Sequence, residues 1–279
     1  MIAVALALGA AVAWGAADYL GGLKSRVVGT TVVVFVGQFT GLLLVGAVVA
    51  VQRDGPPEAR YVAYAVLAGL AGAVGIGALY RGLSVGSMSI IAPITATGAV
   101  IPVVAGVATG ERPTQLQGAG LALALGGVIL AARQKTGEEM RGRVAAGVGF
   151  ALLAAVGIGC FLLALDGASE GGVPWALLIQ RSVCVALVLA VAAFVRPSFR
   201  VGWPHAAPMV AIGALDMSAN ALFALASTRG LVSVVSVLAS LYPVTTVLLA
   251  RMLLGERIAR PQQVGVVAAL AGVVLISAG

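Results

Sequence analysis

"GERPTQLQGAG" at residues 110–120 returns 145 residues later as "GERIARPQQVG" at 255–265. Aligning 110–132 with 255–277 matches ten of 23 positions, among them Gly110, Glu111 and Arg112 with Gly255, Glu256 and Arg257. A fixed offset marks a duplicated unit, where similar hydropathy alone would not. Two shorter echoes agree. "YRGL" at 80–83 faces "TRGL" at 228–231, and "VGQFTG" at 36–41 faces "LIQRSV" at 178–183, so Gln38 and Gln180 occupy equivalent places.

The duplicated text is strongly apolar. Of 279 residues 61% are hydrophobic and 10% charged, and the mean hydropathy is +1.09. A soluble domain of this length needs more polar surface, so the composition implies a polytopic membrane protein whose first partner is the lipid bilayer. The 17 Lys and Arg behind the net charge of +7 punctuate apolar stretches, as membrane-boundary cations do. They form no basic face or tail for nucleic acid. Residues 1–22 lack a basic n-region and outrun a signal-peptide core, so a retained spanning helix is expected there. Cys160 and Cys184 read as small buried thiols within apolar runs. The single histidine, His205, stands among Trp203, Pro204 and Pro208 in an interfacial loop, and no metal or other cofactor is expected.

Cutting the chain where charges and turn residues interrupt the apolar runs predicts ten transmembrane helices: 2–22, 28–51, 60–80, 85–108, 113–132, 143–165, 173–195, 206–227, 230–252 and 262–279. The longest polar run, "RQKTGEEMRGR" at 133–143, divides them into a first repeat at 1–136, a linker at 137–142 and a second repeat at 143–279. Five crossings per repeat force the second copy to enter the membrane from the opposite side. The expected fold is therefore an all-α membrane protein built as two inverted five-helix repeats. In the repeated phrase, Gly110 and Gly255 are suited to left-handed helix caps. Glu111 and Glu256 are expected to act as structural pins near the positive end of the following helix, and Pro113 to take an early helical position.

Three ionisable residues fall inside apolar segments, where each tends to face a cavity or a partner: Asp18, Arg181 and Asp216. Arg181 lies ~12 Å into its segment and Asp216 ~15 Å into an antiparallel neighbour, so both approach the midplane and can pair. Asp18 lies ~24 Å along the first segment, nearer the boundary cations Lys24 and Arg26. Asn220 follows Asp216 by one turn and Trp14 precedes Asp18 by one, which puts each pair on a common face. Gln38, Tyr80, Gln180, Ser227 and Tyr242 extend the candidate polar lining. Pro93, Pro102 and Pro243 remove backbone hydrogen bonds from the fourth and ninth segments and mark bends. Gly69, Gly72, Gly75 and Gly77 allow close helix approach. No phosphate-binding loop or nucleophile elbow is present, so no enzymatic activity is expected.

"AVAWGAADYLGGLK" at 11–24 and "ASLYPVTTVLLARMLLGER" at 239–257, with Pro243 thirteen residues before Glu256, resemble the opening and penultimate helices of EamA-type members of the drug/metabolite transporter superfamily. The likeness covers nearly the whole chain. The first repeat departs from it, because thirteen residues before Glu111 stands Gly98, flanked by Pro93 and Pro102. The resemblance implies secondary transport of a small-molecule solute, usually export, through a central cavity between the halves, with both termini in the cytoplasm. Charge counting points the other way: loops after odd-numbered segments hold twelve Lys/Arg and the others four, which by the positive-inside rule puts both termini outside. The leading expectation is a multi-pass protein of the cell (inner) membrane that moves metabolites or drugs by alternating access, with a proton as candidate coupling ion. A flippase of a lipid-linked molecule and a non-transporting scaffold or sensor are the alternatives. Cargo and oligomeric state stay open at this stage.

Overall fold

The computed structural model describes residues 1–52, 55–86, 88–131, 141–197, 203–254 and 260–278. Among them all regular structure is helical. The elements are α1 (Ile2–Val27), α2 (Thr30–Gln52), α3 (Ala59–Val85), α4 (Met88–Ala96), a 3-10 turn (Thr97–Ala99), α5 (Val100–Ala108), α6 (Gln115–Ala131), α7 (Arg141–Ser169), α8 (Val173–Val195), α9 (Trp203–Ser227), α10 (Val232–Ala239), α11 (Tyr242–Leu254) and α12 (Arg260–Ala278). Seven described helical stretches are long and apolar enough to cross a membrane, α10 and α11 counting as one stretch. Of the ten expected crossings, the fourth is broken into α4 and α5, and the described fifth, α6, has 17 residues.

The molecule is apolar outside and small or polar inside. Phe194, Met252, Val267 and Val156 are more than half exposed, whereas the core is rich in alanine and encloses Asp18, Gln38, Gln180, Arg181, Asp216 and Asn220. Lipid tails solvate a leucine as well as a protein core does, so helices in a membrane associate through close packing and polar contacts. Here the small residues supply the first and the buried polar residues the second.

The two breaks follow from proline chemistry. Pro102 has no N–H to return to the carbonyl of Gly98, and the fourth helix tightens into its 3-10 turn at Thr97–Ala99. Pro243 likewise cannot bond Ala239, and the chain turns at Ser240–Leu241 between α10 and α11. Pro93 lies within α4. α1 runs five residues beyond its expected end, because Gly21 and Gly22 are packing contacts and not a terminator. A Cβ at Gly21 would strike the Tyr80 ring, and one at Gly22 would lie 2.7 Å from the Met88 methyl carbon. The linker expected at 137–142 is shortened at its far end, since residues 141 and 142 already belong to α7 and 132–140 lie outside the described residues.

Helix packing between the N-terminal and C-terminal parts of the chain is reciprocal. α3 lies along α7 as α1 lies along α9; α3 touches α8 as α9 touches α2; α4 packs on α7 as α10 packs on α1; and α5 packs on α7 as α11 packs on α1. α6 lies along α12, α2 along α8 and α5 along α10. Of the third-helix glycines, Gly69, Gly72 and Gly75 pack against α7 and α8, whereas Gly77 has open space beside it. At the α3–α7 crossing a Cβ on Gly157 would lie 2.8 Å from both the Cα and the nitrogen of Gly75. Backbone cannot yield there as a side chain can. Gly157→Val is therefore expected to cost about 1–3 kcal/mol, read as a lower unfolding temperature of the purified protein in detergent.

The repeated phrase folds as expected at Gly110 and differently at Glu111, while Gly255 lies outside the described residues. Gly110, at φ +106°, ends α5 in a Schellman arrangement: its N–H donates to the Val107 carbonyl and that of Glu111 to the Gly106 carbonyl. Glu111 does not serve the helix that follows it. Its carboxylate accepts the backbone N–H groups of Val232 (2.5 Å) and Ser233 (3.1 Å), capping α10 from 121 residues away. The start of α6 is held instead by a capping box, in which the Thr114 hydroxyl accepts from the Gln117 N–H and the Gln117 side-chain carbonyl accepts from the Thr114 N–H. Pro113 accordingly precedes the helix. Glu256 lies outside the described residues. Glu111→Ala is expected to lower stability by about 1–2 kcal/mol in thermal unfolding, with Glu111→Gln recovering part of the loss.

Candidate functional site

Arg181 of α8 is 1% exposed, and its guanidinium must find partners within the protein. One terminal nitrogen, Nη2, donates to Asp216 Oδ2 of α9 at 2.6 Å, and the other, Nη1, donates to the Gln38 side-chain carbonyl of α2. The expected ion pair thus forms, with Gln38 as a second acceptor. Arg181 Nε lies buried without a hydrogen-bond partner against Gly41, whose missing side chain leaves room for the guanidinium.

The Asp216 carboxylate gathers donors from two further elements. Trp14 Nε1 of α1 donates to Oδ1 at 3.2 Å, and Gln38 Nε2 donates to Oδ2 at a long 3.5 Å. Asn220 donates to the backbone carbonyl of Asp216 at 2.6 Å and so fixes the turn that carries the carboxylate. The Trp14 ring stands edge-on to Phe161, with centroids 6.5 Å apart, and 5.9 Å from Phe223. Trp14 is therefore both an aromatic wall and a hydrogen-bond donor, which the sequence expectation of a face shared with Asp18 did not specify.

These side chains border a cavity of about 60 Å³, lined from both parts of the chain. Trp14, Asp18, Gln38, Gln180, Arg181, Asp216, Asn220 and Tyr242 all reach it. Tyr80 and Ser227 are the exceptions among the candidate lining residues. Tyr80 is buried against Gly21, its hydroxyl directed at the Ala17 carbonyl at 3.4 Å, outside the cavity wall. Ser227 also lies elsewhere and bonds the Ala224 carbonyl.

Lys24 and Arg26 do not partner Asp18. Arg26 donates to the carbonyls of Leu83 and Gly86, and among the described residues the ion pairs are Arg181 with Asp216 and Arg60 with Glu58. Among the lining residues that escaped the sequence reading are Thr95 and Ser240, beside the two helix breaks, and Phe161. The breaks were readable from the prolines, and a hydroxyl next to a break was the available signal. Asp166 was missed because the sixth segment was ended at 165. It falls inside α7. Cys160 and Cys184 are free thiols; Cys184 is buried as expected, whereas Cys160 is exposed.

A helical bundle with apolar flanks and a buried charged cluster is shared by unrelated membrane proteins, so sequence similarity decides the lineage. The model of the EamA-like transporter family matches residues 1–133 and again 145–278. The chain belongs to the EamA-like transporter family. It is a multi-pass membrane protein of a transport family. No curated protein matches it at a significant level. A protein of known crystal structure is similar over 98% of this chain and 95% of its own, with a TM-score of 0.76 at 16% identity. At that identity the likeness bears on the fold alone.

Proposed function

We propose that this EamA-like protein is a secondary active transporter, working as an exporter of small metabolites or drugs in the cell (inner) membrane. In this reading residues 1–136 and 143–279 are two five-helix units of opposite orientation, and alternating access comes from their rocking about the cavity. The reciprocal packing supports it, since exchanging the two units maps α3 on α7 into α9 on α1 and leaves α6 on α12 unchanged. The observation that carries the proposal is the cavity bounded by both units and bordered by the buried Arg181 and Asp216 pair. Intramembrane charges are costly and are kept where they contact a solute or a coupling ion. A cavity of about 60 Å³ holds a few waters and not a metabolite, so a solute enters only as the units part. The broken helices end at this cavity and supply bending points there.

Asp216 is the proposed solute-contact or coupling group, with Arg181 as its countercharge. The test is solute flux in proteoliposomes under an imposed proton gradient, for the parent protein and Asp216→Asn. Flux that falls at least about tenfold, with altered pH dependence, supports the role. Unchanged flux and pH dependence defeat it.

A second reading is favoured by one feature. An apolar groove of about 480 Å³ runs between α2, α3, α7 and α8, lined by Val74, Leu153 and Val191 on the lipid-facing side and by Arg81. Such a groove suits an acyl chain, and a flippase predicts lipid scrambling by the reconstituted protein.

A further inference from the structure

The two arginines of the "YRGL" and "TRGL" echo are used differently. Arg229 donates to the Leu225 carbonyl at 2.7 Å. Arg81 is exposed, and among the described residues no hydrogen bond or ion pair engages its guanidinium. It borders instead the apolar groove of about 480 Å³ between α2, α3, α7 and α8.

Helix direction places this groove in depth. Its lining on α3 runs from Val74 to Arg81, and α3 ends at Val85, so the groove reaches ~16 Å inward from that end. α8 contributes from its last turns and α2 from its first, which in antiparallel helices belong to the same boundary. A depth of ~16 Å is about half of a ~30 Å hydrocarbon core, the thickness of one leaflet. Small residues make the space: Gly77 has nothing where a Cβ would stand, and Ala73 and Ala78 lie on either side of it. Val74, Leu153 and Val191, each 43–50% exposed, hold the mouth open toward lipid. Such walls offer water no hydrogen bond and take hydrocarbon.

Charge selects what the hydrocarbon is attached to. Lys24 and Arg26 close α1, Arg196 caps α8 and Arg81 stands near the end of α3, all at this boundary, and among the described residues no carboxylate lies there. Thr30 and Thr31 open α2 at the same level, where the start of a helix favours an anion. A guanidinium pairs with a phosphate through two N–H donors. A zwitterionic headgroup brings a further cation into this group, and an anionic one does not.

We propose that the groove seats an anionic phospholipid, one acyl chain lying along Gly77 and its phosphate held by Arg81. The lipid resides in one leaflet as a fixed component of the protein. This goes beyond the transport reading and holds whether or not a solute is moved or lipid is scrambled.

The test titrates the full-length protein in neutral detergent with dioleoyl phosphatidylglycerol, dioleoyl phosphatidylcholine and sn-glycerol 3-phosphate, and counts bound molecules by native mass spectrometry. Phosphatidylglycerol is expected to bind at least about fivefold more tightly than phosphatidylcholine, and glycerol phosphate not at all. Arg81→Gln removes the preference between the lipids, and Gly77→Leu, which fills the groove, removes tight binding of both. Arg81 is exposed and Gly77 faces open space, so neither change disturbs packing. On the parent protein, a phosphatidylglycerol with a diazirine in its acyl chain labels residues 73–81 or 187–191, and unlabelled phosphatidylglycerol competes. Equal affinity for the two lipids, binding of glycerol phosphate, a preference that survives Arg81→Gln, binding unchanged by Gly77→Leu, or labelling confined to other residues overturns the proposal.

Discussion

Arg181→Met is expected to destabilise the protein by about 3–5 kcal/mol, enough to remove most folded material from a detergent extract. The cost comes from what the substitution leaves behind and not from the pair it removes. Asp216 would keep only Trp14 and the long contact to Gln38, and its charge would remain buried without a countercharge. The Gln38 carbonyl would also lose its donor. A second substitution tests this account, because Asp216→Asn removes the charge yet keeps an oxygen that accepts the Trp14 indole. Arg181→Met combined with Asp216→Asn is therefore expected to recover most of the stability lost by Arg181→Met alone, and to remain inactive in flux. Thermal unfolding of the parent, the two single variants and the double variant supplies the cycle. A double variant no more stable than Arg181→Met would mean that Arg181 acts through packing against Gly41 and not through charge.

The pairing of these two residues was legible because depth along a helix follows from residue count. Arg181 and Asp216 each stood near the middle of an apolar run, and antiparallel neighbours bring such positions together. The same arithmetic failed for Asp18. Counting placed it near Lys24 and Arg26, but α1 continues through Gly21 and Gly22 to Val27, so the cations belong to a later turn. Glycine reads equally as a terminator or as a place where another helix comes close, and the approach of Tyr80 to Gly21 is a tertiary fact. Glu111 shows a related limit. The Schellman cap at Gly110 is local and was readable, whereas the helix that the carboxylate serves lies 121 residues away. Pro102 and Pro243 each follow by four residues a carbonyl, of Gly98 and Ala239, at which a helix breaks, whereas α4 continues through Pro93. Which hydroxyls then face the cavity depends on how the broken ends turn, and Thr95 and Ser240 were not evident for that reason.

Trp14→Ala is expected to cost about 3–5 kcal/mol and to abolish solute flux. The indole touches two aromatic rings and donates to Asp216, so the truncation opens a void beside Phe161 and Phe223 and strips one carboxylate oxygen of its donor. Trp14→Phe separates these contributions. Phenylalanine retains a ring against Phe161 and Phe223 but has no N–H, and the loss should shrink to about 1–3 kcal/mol, the range for leaving a buried charged acceptor underserved. Combining Trp14→Phe with Asp216→Asn then distinguishes a hydrogen bond from simple packing, because an interaction already weakened by neutralising Asp216 cannot be lost in full a second time. The two effects on unfolding temperature are expected to be less than additive. If they sum, Trp14 serves the cavity only as a wall, and the Asp216 carboxylate is held by Arg181 and Gln38 without it.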